Sequence, residues 1–174
     1  VSIAAASFSI YAYEALKEEL ETIDEVRFIF TSPTFNYEKA SKEKREFYIP
    51  KLNRERNLFG SDFEIKLRNQ LSQKAIAKEC ANWIRRKACF KTNISTGVLN
   101  GFMNATNEDG KYTYLPFNEF TTTELGCERG NNMCPASIRM PSPFADEYLR
   151  NFNELWNNSE NFKDVTETII DNIS

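Results

Sequence analysis

A strand, a helix and a second strand follow one another at the amino end, and that order restricts the architecture more than any other feature of the chain. Ile3, Phe8 and Ile10, with small residues between them, give a buried strand and turn. Tyr13 to Ile23 then carries Leu16, Leu20 and Ile23 at helical spacing, and Val26 to Thr31 forms a second strand ended by Ser32-Pro33. Strand, helix, strand over about thirty residues is a βαβ unit. Its right-handed crossover makes the two strands a parallel pair within one sheet. The predicted fold class is therefore α/β, a mixed sheet flanked by helices.

Asn36 to Asn57 is polar and charged without clear periodicity, and is expected to be a partly helical excursion from the sheet. Ser61 with Glu64 is a capping box, and no Gly or Pro interrupts the chain from there until past Lys87. A long helix results, straight or kinked. At 100° per residue, Ile65, Ile76, Cys80, Trp83 and Ile84 gather on one side and should face the core, while Lys74, Lys78 and Arg85 gather on another. Ala88 to Asn93 and Gly97 to Ala105 read as strands. Asn107-Glu108-Asp109-Gly110 is a hairpin turn into Lys111 to Leu115, so the last two strands should pair antiparallel. Thr121 to Pro143 reads as a loop. An amphipathic helix with Tyr148, Leu149, Phe152, Leu155 and Trp156 follows, and Val165 to Ile173 continues the helical pattern.

A length of 174 residues fits one domain spanning 1–174. The longest apolar run, near Val1 to Ala6, is far short of the ~20 residues of a membrane span, and no basic leader precedes it, so a cytoplasmic protein without a membrane partner is expected. The chain starts without Met and ends in a helical pattern without a cap, as a piece of a longer protein would. It holds no His, which removes Ser-His-Asp and Cys-His catalysis in every order. Cys80, Cys89, Cys127 and Cys134 are too widely spaced for a zinc site, so no metal or other cofactor is expected, and Cys80 and Cys89 read as buried free thiols of a reducing compartment.

Leu58 to Lys87, with Leu67-Arg-Asn-Gln-Leu-Ser-Gln-Lys-Ala-Ile-Ala-Lys-Glu-Cys-Ala-Asn-Trp-Ile-Arg-Arg-Lys87 at its centre, resembles the long helix of the phospholipase D-like domain at the amino end of bacterial Swi/Snf-type, restriction-associated helicases. Phe8 to Tyr11 is similar to that family's opening strand and turn, and Leu155-Trp156-Asn157 with Asp164-Val165 to its closing segment. In active members a Leu-His-x-Lys-Met strand supplies a His nucleophile and a phosphate-binding Lys, and a Gly-Ser-x-Asn-Phe-Thr turn supplies further contacts. Here the strand is Leu99-Asn100-Gly101-Phe102-Met103 and the turn Pro116-Phe117-Asn118-Glu119-Phe120-Thr121. Asn100 and Phe102 replace His and Lys, and Glu119, beside Asn118, would repel a phosphodiester. The resemblance thus implies a phospholipase D-like fold with a degenerate motif and no catalytic residues. It also implies a helicase motor elsewhere in the parent chain, since no ATP-binding phosphate loop is present, and it leaves pairing into a homodimer open.

Charge adds a second pointer. Between Asn36 and Lys91 lie fifteen of the 22 Lys and Arg against seven of the 25 Asp and Glu, a local balance of +8 that leaves −11 for the rest. Such asymmetry is the footprint of a phosphate-contacting surface, with DNA as partner and Lys74, Lys78, Arg85, Arg86 and Lys87 as the candidate residues. The plain alternative is a solvated helix whose terminal cations complement its dipole. Asp109, Glu119, Glu124 and Glu128 match no metal-ligand pattern, Trp83 and Trp156 fit the core, and the Asn93 and Asn157 glycosylation sequons have no use in a cytosolic chain. Three readings follow. The first is a noncatalytic nucleic-acid-binding or docking module of an ATP-dependent helicase; the others are a protein-interaction or dimerisation domain and a nuclease with rebuilt chemistry.

Overall fold

The computed structural model describes residues 1–31, 70–122, 124–127 and 137–173. Strand β1 (Ser2–Ala5) is buried at every position. It pairs in parallel with β2 (Val26–Phe30), Ser2 opposite Arg27 through Ala5 opposite Phe30. Between them lie two short helices, α1 (Ile10–Ala15) and α2 (Lys17–Thr22), where the spacing predicts one. The break falls at Leu16, whose φ of −111° and ψ of 17° leave the helical region. Ser9 starts α1, its Oγ accepting from the N–H groups of Tyr11 at 3.1 Å and Ala12 at 3.4 Å.

Helix α3 (Gln70–Lys87) runs directly into β3 (Ala88–Asn93), parallel to β2. Strand β4 (Phe102–Asn107) lies antiparallel on the other side of β1 and forms a hairpin with β5 (Gly110–Leu115). The hairpin turn is built as its composition predicts. Asn107 Oδ1 accepts from the N–H groups of Asp109 and Gly110, and Gly110 takes a φ of 142°. Two strands escape the sequence reading: β6 (Ile138–Pro141), inside the expected loop, and β7 (Phe162–Asp164), between two helical patterns. Each is too short to show an alternation of its own and is defined by its pairing with β5 or β3.

Among the described residues the result is a seven-stranded mixed sheet in the order β6-β5-β4-β1-β2-β3-β7, flanked by helices. Alternation along the strands assigns the two faces. Ile3, Ala5, Phe28, Phe30 and Phe90 join a core with α1, α2, α3 and α5 (Thr166–Ile173), while Ala4, Ile29 and Phe102 join a second core with α4 (Phe144–Asn157). Phe8 explains part of the chain's abundance of Phe: its ring meets Phe28, Phe90 and Phe120 at 5.9, 5.1 and 5.2 Å. On α3, Ala77, Cys80, Ala81, Trp83 and Ile84 are buried, the side expected from the wheel. Ile65 lies outside the described residues. No helix among the described residues is long and apolar enough to cross a membrane.

Candidate nucleic-acid interface

Helix α3 packs between α1 and α5, and its charged residues divide between its two flanks. On the flank towards α2, Arg86 forks onto the Glu21 carboxylate at 3.1 and 2.7 Å, and Lys17 pairs with Glu79. The Arg86 bond holds the Glu21 carboxyl below its ordinary range, and the Glu79 bond raises the Lys17 ammonium. Lys87 donates to the Ile23 carbonyl at 2.9 Å and to the Glu21 carbonyl, while Trp83 Nε1 donates to the Leu20 carbonyl at 3.3 Å. Thr22 Oγ1 donates to the Glu19 carbonyl at 2.6 Å. The carboxyl-terminal carbonyls of α2, which no helical N–H can reach, are thus served largely by α3 side chains.

The other flank carries Lys74, Lys78 and Arg85, all exposed. They fall within about 40° of one another at 100° per residue, with Lys78 about 6 Å and Arg85 about 16 Å along the axis from Lys74. Arg85 donates to Asn82 Oδ1 at 3.1 Å, and among the described residues neither Lys74 nor Lys78 forms an ion pair. Of the five candidate cations, three therefore present their charge outward and two, Arg86 and Lys87, are bound to α2. Helix α5, packed against α3, exposes Glu167 and Asp171. The nine Lys and Arg from Lys39 to Arg68 lie outside the described residues.

The two segments set against the phospholipase D-like motif, Leu99 to Met103 and Pro116 to Thr121, meet at the carboxyl end of β1. Phe117 N–H donates to the Gly101 carbonyl at 3.1 Å, and a Cβ on Gly101 would stand 1.9 Å from the Phe117 oxygen. Asn100 is exposed. Phe102 is 6% exposed and set edge-on to Tyr148 and Phe152 of α4, at 5.4 and 6.2 Å. It fills the second core. Asn118 is exposed; its carbonyl accepts from Ala6 N–H at 2.7 Å and its own N–H donates to Glu124 Oε1 at 3.1 Å. Glu119 is buried, and Phe120 stacks on Phe8.

Asp109 is exposed in the hairpin turn, Glu128 lies outside the described residues, and among those described no three His, Cys, Asp or Glu side chains converge to hold a metal. Cys80, Cys89 and Cys127 are free thiols, with burial pushing Cys80 far up; Cys134 lies outside the described residues. Trp83 is buried. Trp156 is half-buried in the second core beneath two cations, Lys91 at 4.6 Å and Arg27 at 5.7 Å from its ring. Sequence reasoning missed this pair, because β-strand cations opposite a helix are brought together only by the sheet. It also missed Arg139 over Tyr112, since β6 was expected to be loop.

Compared with known proteins, the chain matches no family model, no curated protein and no solved structure.

Proposed function

We propose that this domain is a noncatalytic nucleic-acid-binding or docking module of an ATP-dependent helicase-type protein, with the motor in another part of the parent chain. The observation that carries the reading is the exposed row of Lys74, Lys78 and Arg85 on a helix anchored to its neighbours through its opposite flank. Backbone phosphates are recognised by such rows without regard to base sequence. The altered motif supports the noncatalytic part: Asn100 has no nucleophilic chemistry, and Phe102 is committed to packing.

The test is fluorescence anisotropy with duplex DNA at several salt concentrations. Binding should weaken with salt at a slope near −0.9 per phosphate contact, and the Lys74→Ala, Lys78→Ala, Arg85→Ala triple variant should flatten it by roughly two to three units. Wild-type protein that fails to bind at about 50 mM salt, or a variant slope equal to wild type, would sink the reading. A second reading, a protein-interaction or dimerisation domain, is favoured by Val98, Ile138 and Phe144, which are 94%, 62% and 58% exposed.

A further inference from the structure

The face of β4, β5 and β6 on the α1 side of the sheet carries a group of side chains that the basic row does not use. Thr113 and Leu115 point to the other face: the Thr113 hydroxyl donates to Asn104 Oδ1 at 2.5 Å, Leu115 packs in the second core, and Lys111 pairs with Asp146 of α4 at 3.1 Å. Tyr112 and Tyr114, alternating with them, therefore share the α1-side face with their cross-strand partners. Tyr114 stands between Met103 and Arg139, and Tyr112 between Ala105 and Pro141. Met103 packs against the first core, which fixes the side. Among the described residues no helix makes extensive contact with these strands on that side, and both tyrosines keep part of their surface exposed. The Arg139 guanidinium lies 4.8 Å from the Tyr112 ring centroid.

We propose that this face binds single-stranded nucleic acid by stacking unpaired bases on Tyr112 and Tyr114, with Arg139 neutralising a phosphate. The inference takes its ligand class from the nucleic-acid reading above but uses different side chains. Two tyrosines two residues apart on a strand are about 7 Å apart, twice the ~3.4 Å between stacked bases of a duplex strand, so the platform suits splayed bases and not paired ones. Aromatic rings interleaved with a cation supply the two interactions an unpaired strand needs, stacking and charge neutralisation. Arg139 is also the charge that orients the strand. Glu108 and Asp109, exposed in the β4–β5 turn, repel phosphate at the hairpin end, so the backbone passes towards the other end, where Arg139 pairs with Tyr114.

The experiment titrates the whole chain into short fluorescein-labelled oligothymidylate and oligouridylate, with duplex DNA as a third arm. Tyr112→Leu and Tyr114→Leu should each weaken single-strand binding by about tenfold, and Tyr114→Phe, which keeps the ring, should not. Arg139→Gln should reduce the salt slope by about 0.7, one single-strand phosphate contact. Oligothymidylate binding alone makes the ligand unpaired DNA; binding of both makes it either polymer. No single-strand binding, or leucine variants that melt normally and bind like wild type, overturns the proposal. Should the leucine variants unfold, the exposed Arg139→Gln substitution decides it through the slope. Loss of duplex binding in the triple variant of α3, with single-strand binding intact, leaves this platform standing on its own; single-strand binding that is lost in the triple variant but unchanged in the leucine variants removes the platform and leaves the row.

Discussion

Trp83 donates its indole N–H to the carbonyl of Leu20 across 3.3 Å, joining the carboxyl-terminal part of α3 to the last turn of α2. The bond is buried, and its acceptor belongs to a helix end that has no N–H of its own to offer. Trp83→Phe keeps most of the apolar surface but strands that carbonyl, so it should cost about 1–3 kcal/mol. Trp83→Ala, which also empties a buried volume beside Tyr13, should cost about 3–5 kcal/mol. Urea midpoints at constant slope measure both; a Trp83→Phe variant as stable as wild type would show that the hydrogen bond contributes nothing beyond packing.

Lys87 separates two roles that the sequence merges. A cation in the last turn of a helix complements that helix's own dipole, and it also fits a phosphate-contacting surface. In the structure its ammonium serves the Glu21 and Ile23 carbonyls of the α2 end. Lys87→Met should therefore lower stability by about 1–3 kcal/mol while leaving the salt slope of duplex binding unchanged. A variant of wild-type stability with a flatter slope would reverse the assignment.

Introducing the lysine of a phospholipase D-like motif should fail as chemistry and as folding. Incubation of the wild-type chain with single- or double-stranded DNA, in Mg²⁺, Mn²⁺ or EDTA, is expected to leave the substrate intact, and cleavage that disappears in Asn100→Ala would contradict this. Phe102→Lys should bring no activity, because the new ammonium would enter a space bounded by the Tyr148 and Phe152 rings. Its expected cost is about 3 kcal/mol or more, read from thermal melts.

How much of this was legible beforehand differs by element. The βαβ opening and the buried side of α3 follow from spacing alone, and Cys80, Trp83 and Ile84 lie where the wheel puts them. Local pattern carries that information because each helix or strand has a face of its own. Strand β6 was illegible: Ile138-Arg139-Met140-Pro141 is a strand only because Tyr112 to Leu115 lie beside it. The same holds for Gly101. Its immediate neighbours, Asn100 and Phe102, give no reason for a glycine, and the reason is a carbonyl sixteen residues later, that of Phe117. Phe102 teaches the complementary lesson: compared with a motif it is a loss, and compared with α4 it is a core ring. Of the basic candidates, Lys74, Lys78 and Arg85 needed only helical geometry to be grouped. Setting Arg86 and Lys87 apart required knowing where α2 ends.

Among the described residues both borders of the sheet are brief, four residues in β6 and three in β7, and the first ends at Pro141, which has no N–H to offer a neighbour. An incoming strand finds too short a row of donors and acceptors to lay down a lasting ladder. Copies of this chain at high concentration therefore find little along these two rims to template a growing fibril, and side chains on the broad surfaces of the sheet are the better footing for assembly, where specificity can be selected.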